Sequence, residues 1–322
     1  MTRSKNKFLF LSVLFVFCAA TAQAGLFGIS PKDRKEFVRA REKYDQGNYR
    51  QAVTELSEYI YKTKNIKRRE ARAYRLLGLS YERLNNPAKA LETYLEALEF
   101  HQKNVPLLLA AAALYQRTGL TDRSIEMYNR ALKWEPDNLA ALSGQGENYI
   151  NMGFYSKARE YYDRFFELNP RAPAIHRARY AYAFLKQRHY AEAFIHITMA
   201  LTEEPENADY WLLSAKAYKG LGRLQDAQAD LDASILLAPQ RTELKAIKSM
   251  WFYQEGDLTL ARAEAQKLLS EQPQNELALF MMYLTAQKEG LSQEARAYLQ
   301  KIHSLDKDSL AHKLAEKLLV TP

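Results

Sequence analysis

Cysteine is nearly absent from this sequence: of 322 residues only Cys18 carries a thiol. A lone cysteine rules out an internal disulfide and any Cys-based metal cage. Catalytic signatures are missing as well. The six histidines, His101, His176, His189, His196, His303 and His312, are scattered and none stands in an H-E-x-x-H or Cys/His spacing, so no metal site is expected. No G-x-S-x-G, P-loop or dinucleotide fingerprint occurs, and no cofactor is expected. No Pro/Gly/Ser-rich stretch divides the chain, and only one long apolar run is present.

That run lies at the start. Arg3, Lys5 and Lys7 precede Phe8 to Phe17, and Ala22-Gln23-Ala24 follows. A basic segment, a short apolar segment and a small-x-small site form the pattern of a secretory signal peptide over residues 1–24, cut before Gly25. A membrane anchor is the competing reading, but the run falls short of the ~20 residues that span a bilayer. A lipoprotein signal would need a small residue before Cys18, where Phe17 stands. The expected location is therefore outside the cytoplasm: periplasmic behind an outer membrane, otherwise secreted. Cleavage would also remove the only cysteine. The net charge falls from +8 to +5, a moderate value, and no zinc or RNA-recognition motif accompanies it. Nucleic acid is not an expected partner.

What the sequence does have is a period. Pro136, Pro170, Pro205, Pro239 and Pro273 recur at intervals of 34 or 35 residues. A small residue anchors eight aligned units at position 20: Ala52, Ala90, Ser124, Ala158, Ala193, Ala227, Ala261 and Ala295. Position 8 is small in the first seven units and is Tyr283 in the eighth. Position 11 is aromatic in units two to seven (Tyr81, Tyr115, Tyr149, Phe184, Tyr218, Phe252). Position 15 is glycine except at Asn85 and Arg188.

Glycine between two apolar-periodic stretches suits a helix C-terminus where the chain reverses at positive φ. Small residues at positions 8 and 20 allow two helices to approach, with aromatics at positions 11 and 24 (Tyr94, Tyr128, Tyr162) filling the space beside them. The same close packing accounts for Gly144-Gln145-Gly146. Proline at position 32 stops the second helix. Each unit reads as a helical hairpin, and Lys245 and Lys248 fall at early core positions of unit seven.

These residues resemble the tetratricopeptide repeat of exported bacterial proteins. Unit two carries the pattern as Tyr74, Leu77, Gly78, Tyr81, Ala90, Tyr94 and Ala97, and unit six as Trp211, Ala215, Tyr218, Gly222, Ala227 and Pro239. The resemblance covers about residues 33–307. It implies an all-α fold, an α-α superhelix of eight hairpins after a short lead at residues 25–32. Residues 308–322, with Leu310, Ala311, Leu314, Ala315, Leu318 and Leu319 at helical spacing, are expected to form a C-terminal capping helix; a partner-binding tail is the other reading.

The resemblance also implies where partners bind: a concave face lined by inner positions of each first helix. Those positions carry Arg41, Tyr44, Arg72, Arg75, Arg117, Glu147, Tyr182, Lys216 and Tyr253. The family's clamp for a terminal carboxylate needs an asparagine where this chain has Leu79, Ala113 and Tyr182, so that recognition is not implied. A basic patch, Lys62, Lys64, Lys67, Arg68 and Arg69, crowds the longer junction between units one and two, either as a solvated loop or as a site for an acidic partner, an anionic membrane surface or an anionic glycan. Two functions fit. One is a non-enzymatic, exported protein-interaction scaffold or adaptor of the cell envelope that binds a protein or peptide on the concave face. The alternative is a glycan-binding module assisting cell-wall or exopolysaccharide assembly or export, through Tyr44, Tyr182, Tyr253 and the inner basic residues.

Overall fold

The computed structural model describes residues 31–63 and 70–305, together with His312, Lys313, Glu316 and Leu318. The expected signal peptide, Lys64, Lys67, Arg68 and Arg69, and most of residues 308–322 lie outside the described residues. Among the described residues there are sixteen helices and no strand. They pair as eight hairpins: α1 (Pro31–Asp45) with α2 (Tyr49–Thr63), α3 (Ala71–Arg83) with α4 (Pro87–Phe100), α5 (Val105–Arg117) with α6 (Thr121–Trp134), and α7 (Leu139–Asn151) with α8 (Tyr155–Leu168). Then come α9 (Ala174–Lys186) with α10 (Tyr190–Glu203), α11 (Ala208–Gly220) with α12 (Leu224–Leu237), α13 (Thr242–Glu255) with α14 (Leu258–Glu271), and α15 (Glu276–Lys288) with α16 (Ser292–His303). The chain is an all-α solenoid of helical hairpins.

The period's punctuation has a direct backbone basis. Position 15 adopts the left-handed conformation in all eight hairpins, including the two without glycine, Asn85 at φ 55° and Arg188 at φ 62°. In all eight hairpins this turn directs the amide of position 16 back to the carbonyl of position 11, as in Asn48 to Lys43, Leu120 to Tyr115 and His189 to Phe184, the 6→1 bond of a Schellman cap. The prolines stand just beyond the second helices. The residues ahead of Pro136, Pro170, Pro205, Pro239 and Pro273 are the helix C-caps Glu135, Asn169, Glu204, Ala238 and Gln272, all out of the helical region with ψ between 63° and 89°, as steric conflict with a following proline favours. Four first helices start on asparagine caps: Asn104, Asn138 and Asn275 accept the amide three residues on, and Asn207 accepts from Asp209.

The small positions do the expected work inside each hairpin. Ala52, Ala90, Ser124, Ala158, Ala193, Ala227 and Ala261 are at most 1% exposed. A Cβ on Gly146 would lie 2.6 Å from the Tyr162 ring, and one on Gly144 would collide with Tyr128. Lys245 and Lys248 are not bare cations in a core. Lys245 pairs with Glu271, and Lys248 reaches Asp232 at 2.8 Å and Glu264 at 3.3 Å.

The helices gather into two compact units, one ending at Pro170 and the other starting at Arg171. An unbroken array is the simplest expectation from the period. The division falls at the single 35-residue proline interval, where Arg171-Ala172-Pro173 precedes α9 and Pro173 takes the N-cap place without a side-chain cap. Beyond α16, the His312 ring stacks on His303 at 4.5 Å, and Leu318 packs on the cluster of Leu299 and Ile302.

Candidate functional site: an arginine-lined cavity on the first unit

First helices in the first unit lie beside one another, α1 next to α3 and α3 next to α5. Their exposed faces enclose a cavity of about 620 Å³ lined by Phe37, Arg41, Tyr44 and Asp45 of α1, Ala71, Arg72, Arg75, Leu76 and Leu79 of α3, and Asn104 and Pro106 at the start of α5. Four of the residues expected on an inner face, Arg41, Tyr44, Arg72 and Arg75, are thus brought together. Helical geometry explains the arrangement, since residues three or four apart share one face. Arg72 and Arg75 are one turn apart on α3, while Arg41 and Tyr44 stand in the same relation on α1.

The charges around this cavity are unequal. Three guanidiniums line it against one carboxylate, Asp45, which lies 3.6 Å from Arg41 with both side chains mostly in water. Such a pair is weak. Neither Arg72 nor Arg75 has a carboxylate within 4.0 Å among the described residues. The nearby Glu82 is occupied from two sides: the Tyr94 hydroxyl donates to one oxygen at 2.6 Å, and Arg117 pairs with the other. Burial, then the bond to Glu82, pushes the Tyr94 phenol well above its ordinary pKa, which keeps that donor protonated. At the rim, Arg83 donates to the Tyr44 hydroxyl, and this bond is the main reason its guanidinium pKa is raised. The Tyr44 ring also meets Tyr49 edge-on at 5.4 Å. Below the charges the wall is apolar, with Phe37 backed by Tyr59 at 5.7 Å.

The remaining expected residues are placed elsewhere. Arg117 is on α5 but is held by Glu82, and Glu147 is half-buried on α7. Lys62 pairs with Glu36 at 3.1 Å. Tyr182, Lys216 and Tyr253 belong to the second unit. There, Lys186 lies over Tyr182 at 5.2 Å, Lys288 over Tyr253 at 4.7 Å and Lys219 over Trp251 at 4.5 Å. Burial, then repulsion from Lys186, lowers the Lys216 pKa. A sugar would stack on an open ring face, and in Tyr182 and Tyr253 one face already holds a cation.

Sequence reasoning did not single out Leu76, Asn104 or Pro106. Asn104 was detectable, because the asparagine caps recur at Asn138, Asn207 and Asn275 with the repeat. Among the described residues, no three His, Cys, Asp or Glu side chains gather as a metal-holding group, and no helix is long and apolar enough to cross a membrane.

Comparison with known proteins places the fold. Tetratricopeptide repeat models match residues 37–105, 105–138, 143–208 and 212–276. A crystal structure of a tetratricopeptide repeat protein from Parabacteroides merdae superposes with a TM-score of 0.58 at 21% identity, over 80% of this chain and 99% of that one. YrrB, described as a TPR protein with an unusual peptide-binding site, gives 0.52 at 19% identity, over 59% of this chain and 95% of its own. Human RANBP2-like and GRIP domain-containing protein 8 is 32% identical over 103 residues, 31% of this chain, and the match spans only 6% of that protein. Those likenesses establish the architecture without assigning a partner. With repeat models matching most of its length and eight hairpins bearing the repeat's packing residues, the chain belongs to the tetratricopeptide repeat family.

Proposed function

We propose that this protein is an exported, non-enzymatic scaffold of the cell envelope that holds a segment of a partner protein in the cavity between α1, α3 and α5. Tetratricopeptide repeat proteins are in general interaction scaffolds, and YrrB is described as one with a peptide-binding site. The observation that carries the reading is the cavity itself: about 620 Å³ of open space lined by apolar side chains and two arginines that no carboxylate among the described residues engages. The hairpins hold these groups in place before a partner arrives, which lowers the ordering cost of binding.

A photo-crosslinking residue at Leu79, inside the cavity, is expected to capture protein in the native cell, whereas the same residue at Leu95, on the exposed side of α4, is not. Equal capture from both sites, or none from Leu79, would overturn the reading. Export rests on the basic, apolar and small-x-small segments of residues 1–24. The intact mass of the protein recovered from its native cell should correspond to a chain starting at Gly25; a full-length mass would remove that part.

A further inference from the structure

We infer that the segment held in this cavity is an internal acidic stretch of peptide with a bulky apolar side chain among its carboxylates. The inference rests on the scaffold reading and names the chemistry of that same site. Four observations support it.

First, Arg72 and Arg75 present two guanidiniums from one turn of α3, and Arg41 faces them from α1. Guanidiniums bind carboxylates in bidentate fashion, so this grouping favours acidic side chains over neutral ones. Second, the one strong internal competitor is already engaged. Glu82 has its two oxygens taken by Tyr94 and Arg117, so the local negative charge is spent on a neighbouring pair. Third, the wall below the guanidiniums is made of Phe37, Leu76, Leu79 and Pro106, a surface that gains by covering an apolar side chain. Fourth, Leu79 puts an apolar side chain in the cavity at a place where a clamp for a chain terminus would need an amide. Asn104, the one side-chain amide in the lining, is held as the cap of α5, its Oδ1 accepting the Leu107 amide at 3.1 Å. The charge to be read is therefore on side chains, and the end of the peptide is not required.

The test uses the mature protein and short fluorescein-labelled peptides whose centres are EEFEE, QQFQQ or EEAEE between glycines, each with a free or an amidated C-terminus. Fluorescence anisotropy should show EEFEE binding about tenfold or more tighter than QQFQQ, with added salt weakening it. EEAEE should bind several-fold more weakly than EEFEE, and amidation should leave the affinity of EEFEE unchanged. Arg72→Gln combined with Arg75→Gln, both exposed and without a carboxylate partner among the described residues, should abolish the preference for glutamate while leaving the thermal unfolding midpoint in place. Lys186→Gln with Lys216→Gln in the second unit should have no effect on it. Equal binding of EEFEE and QQFQQ, loss of binding on amidation, or insensitivity to the arginine pair would each overturn the inference. The scaffold reading fails separately, by absence of crosslinks from Leu79 in cells: crosslinks without an acidic preference would sink only the inference.

Discussion

In repeats two, three and four of the first unit, the place where α4, α6 and α8 face their partner helices is held by Tyr94, Tyr128 and Tyr162. In the second unit the same place belongs to Ile197, Leu231, Ala265 and Leu299. The tyrosines bring both bulk and a hydroxyl. Their bulk is accommodated by glycine, with Gly78 under Tyr94, Gly144 under Tyr128 and Gly146 under Tyr162, whereas the second unit has Ala181, Ala215 and Ser249 at position 8. Their hydroxyls reach inner-face groups, Tyr94 to Glu82 at 2.6 Å and Tyr128 to Gln116 at 3.4 Å. The interior of a hairpin thereby sets the charge balance of its surface. In the first unit a buried phenol ties down a carboxylate and leaves arginines unbalanced nearby. Aliphatic residues cannot do this; in the second unit Lys186, Lys219 and Lys288 rest on aromatic rings, while Lys245 and Lys248 pair with carboxylates.

The difference can be broken most strongly at Gly146. Gly146→Ala should cost about 2–3 kcal/mol in chemical denaturation, because the added methyl meets a ring that has no space to move into. Adding Tyr162→Leu, which imitates the second unit, should recover part of that loss. Tyr94→Phe comes next, with a cost of about 1.5–2 kcal/mol as Glu82 loses a buried donor. The same variant should weaken EEFEE binding without touching the cavity, since the freed carboxylate then competes for the arginines.

Alkaline pH should act with opposite sign at two groups, Tyr128 in the first unit and Lys216 in the second. Burial, with the Glu147 charge, pushes the Tyr128 phenol up to about 12, above its unfolded value near 10. Its contribution is therefore complete below about pH 10 and is lost as pH rises towards 12, roughly 1 kcal/mol of it by pH 11. Melting temperatures of Tyr128→Phe should fall less steeply than those of the parent in that window. Lys216 behaves oppositely. Its lowered pKa means that the unfolded chain holds the proton more tightly, so its penalty fades as pH climbs to about 10. Lys216→Met should reduce that gain, as seen in the same melts.

The smallest effects are expected at the two left-handed residues without glycine. Arg188→Gly in the second unit should stabilise by about 1 kcal/mol, and Asn85→Gly in the first by a few tenths, because asparagine tolerates this conformation better. Equal gains at both sites would mean that the turn strain is not residue-specific.

The sequence makes the eight hairpins legible because the features that define them are local and repeated: glycine at the reversal, proline after the second helix, alanine where helices touch. Asn85 and Arg188 stand out in the alignment and are the same two residues that adopt positive φ without glycine. The gathering of Arg41, Tyr44, Arg72 and Arg75 also follows from inner-face positions on adjacent first helices, 9 and 12 of one repeat beside 2 and 5 of the next. What stays hidden is how charges are shared out. Glu82 and Arg117 are 35 residues apart and meet only because neighbouring repeats stack, with Tyr94 taking the other carboxylate oxygen. Asn104 and Pro106 enter the cavity from a third repeat, so no single repeat discloses them. The division after Pro170 was marked in the spacing by one additional residue, yet a one-residue insertion has no predictable consequence until helices pack around it.

The glycine–tyrosine couples also bear on how such a chain can change by recombination. Gly78 with Tyr94 and Gly146 with Tyr162 each lie inside one repeat, so a duplicated or exchanged repeat would carry both halves of the fit along. Gly144 with Tyr128 spans two repeats. A crossover between the third and fourth would separate the ring from the gap made for it, so those two repeats keep their fit only when they move together.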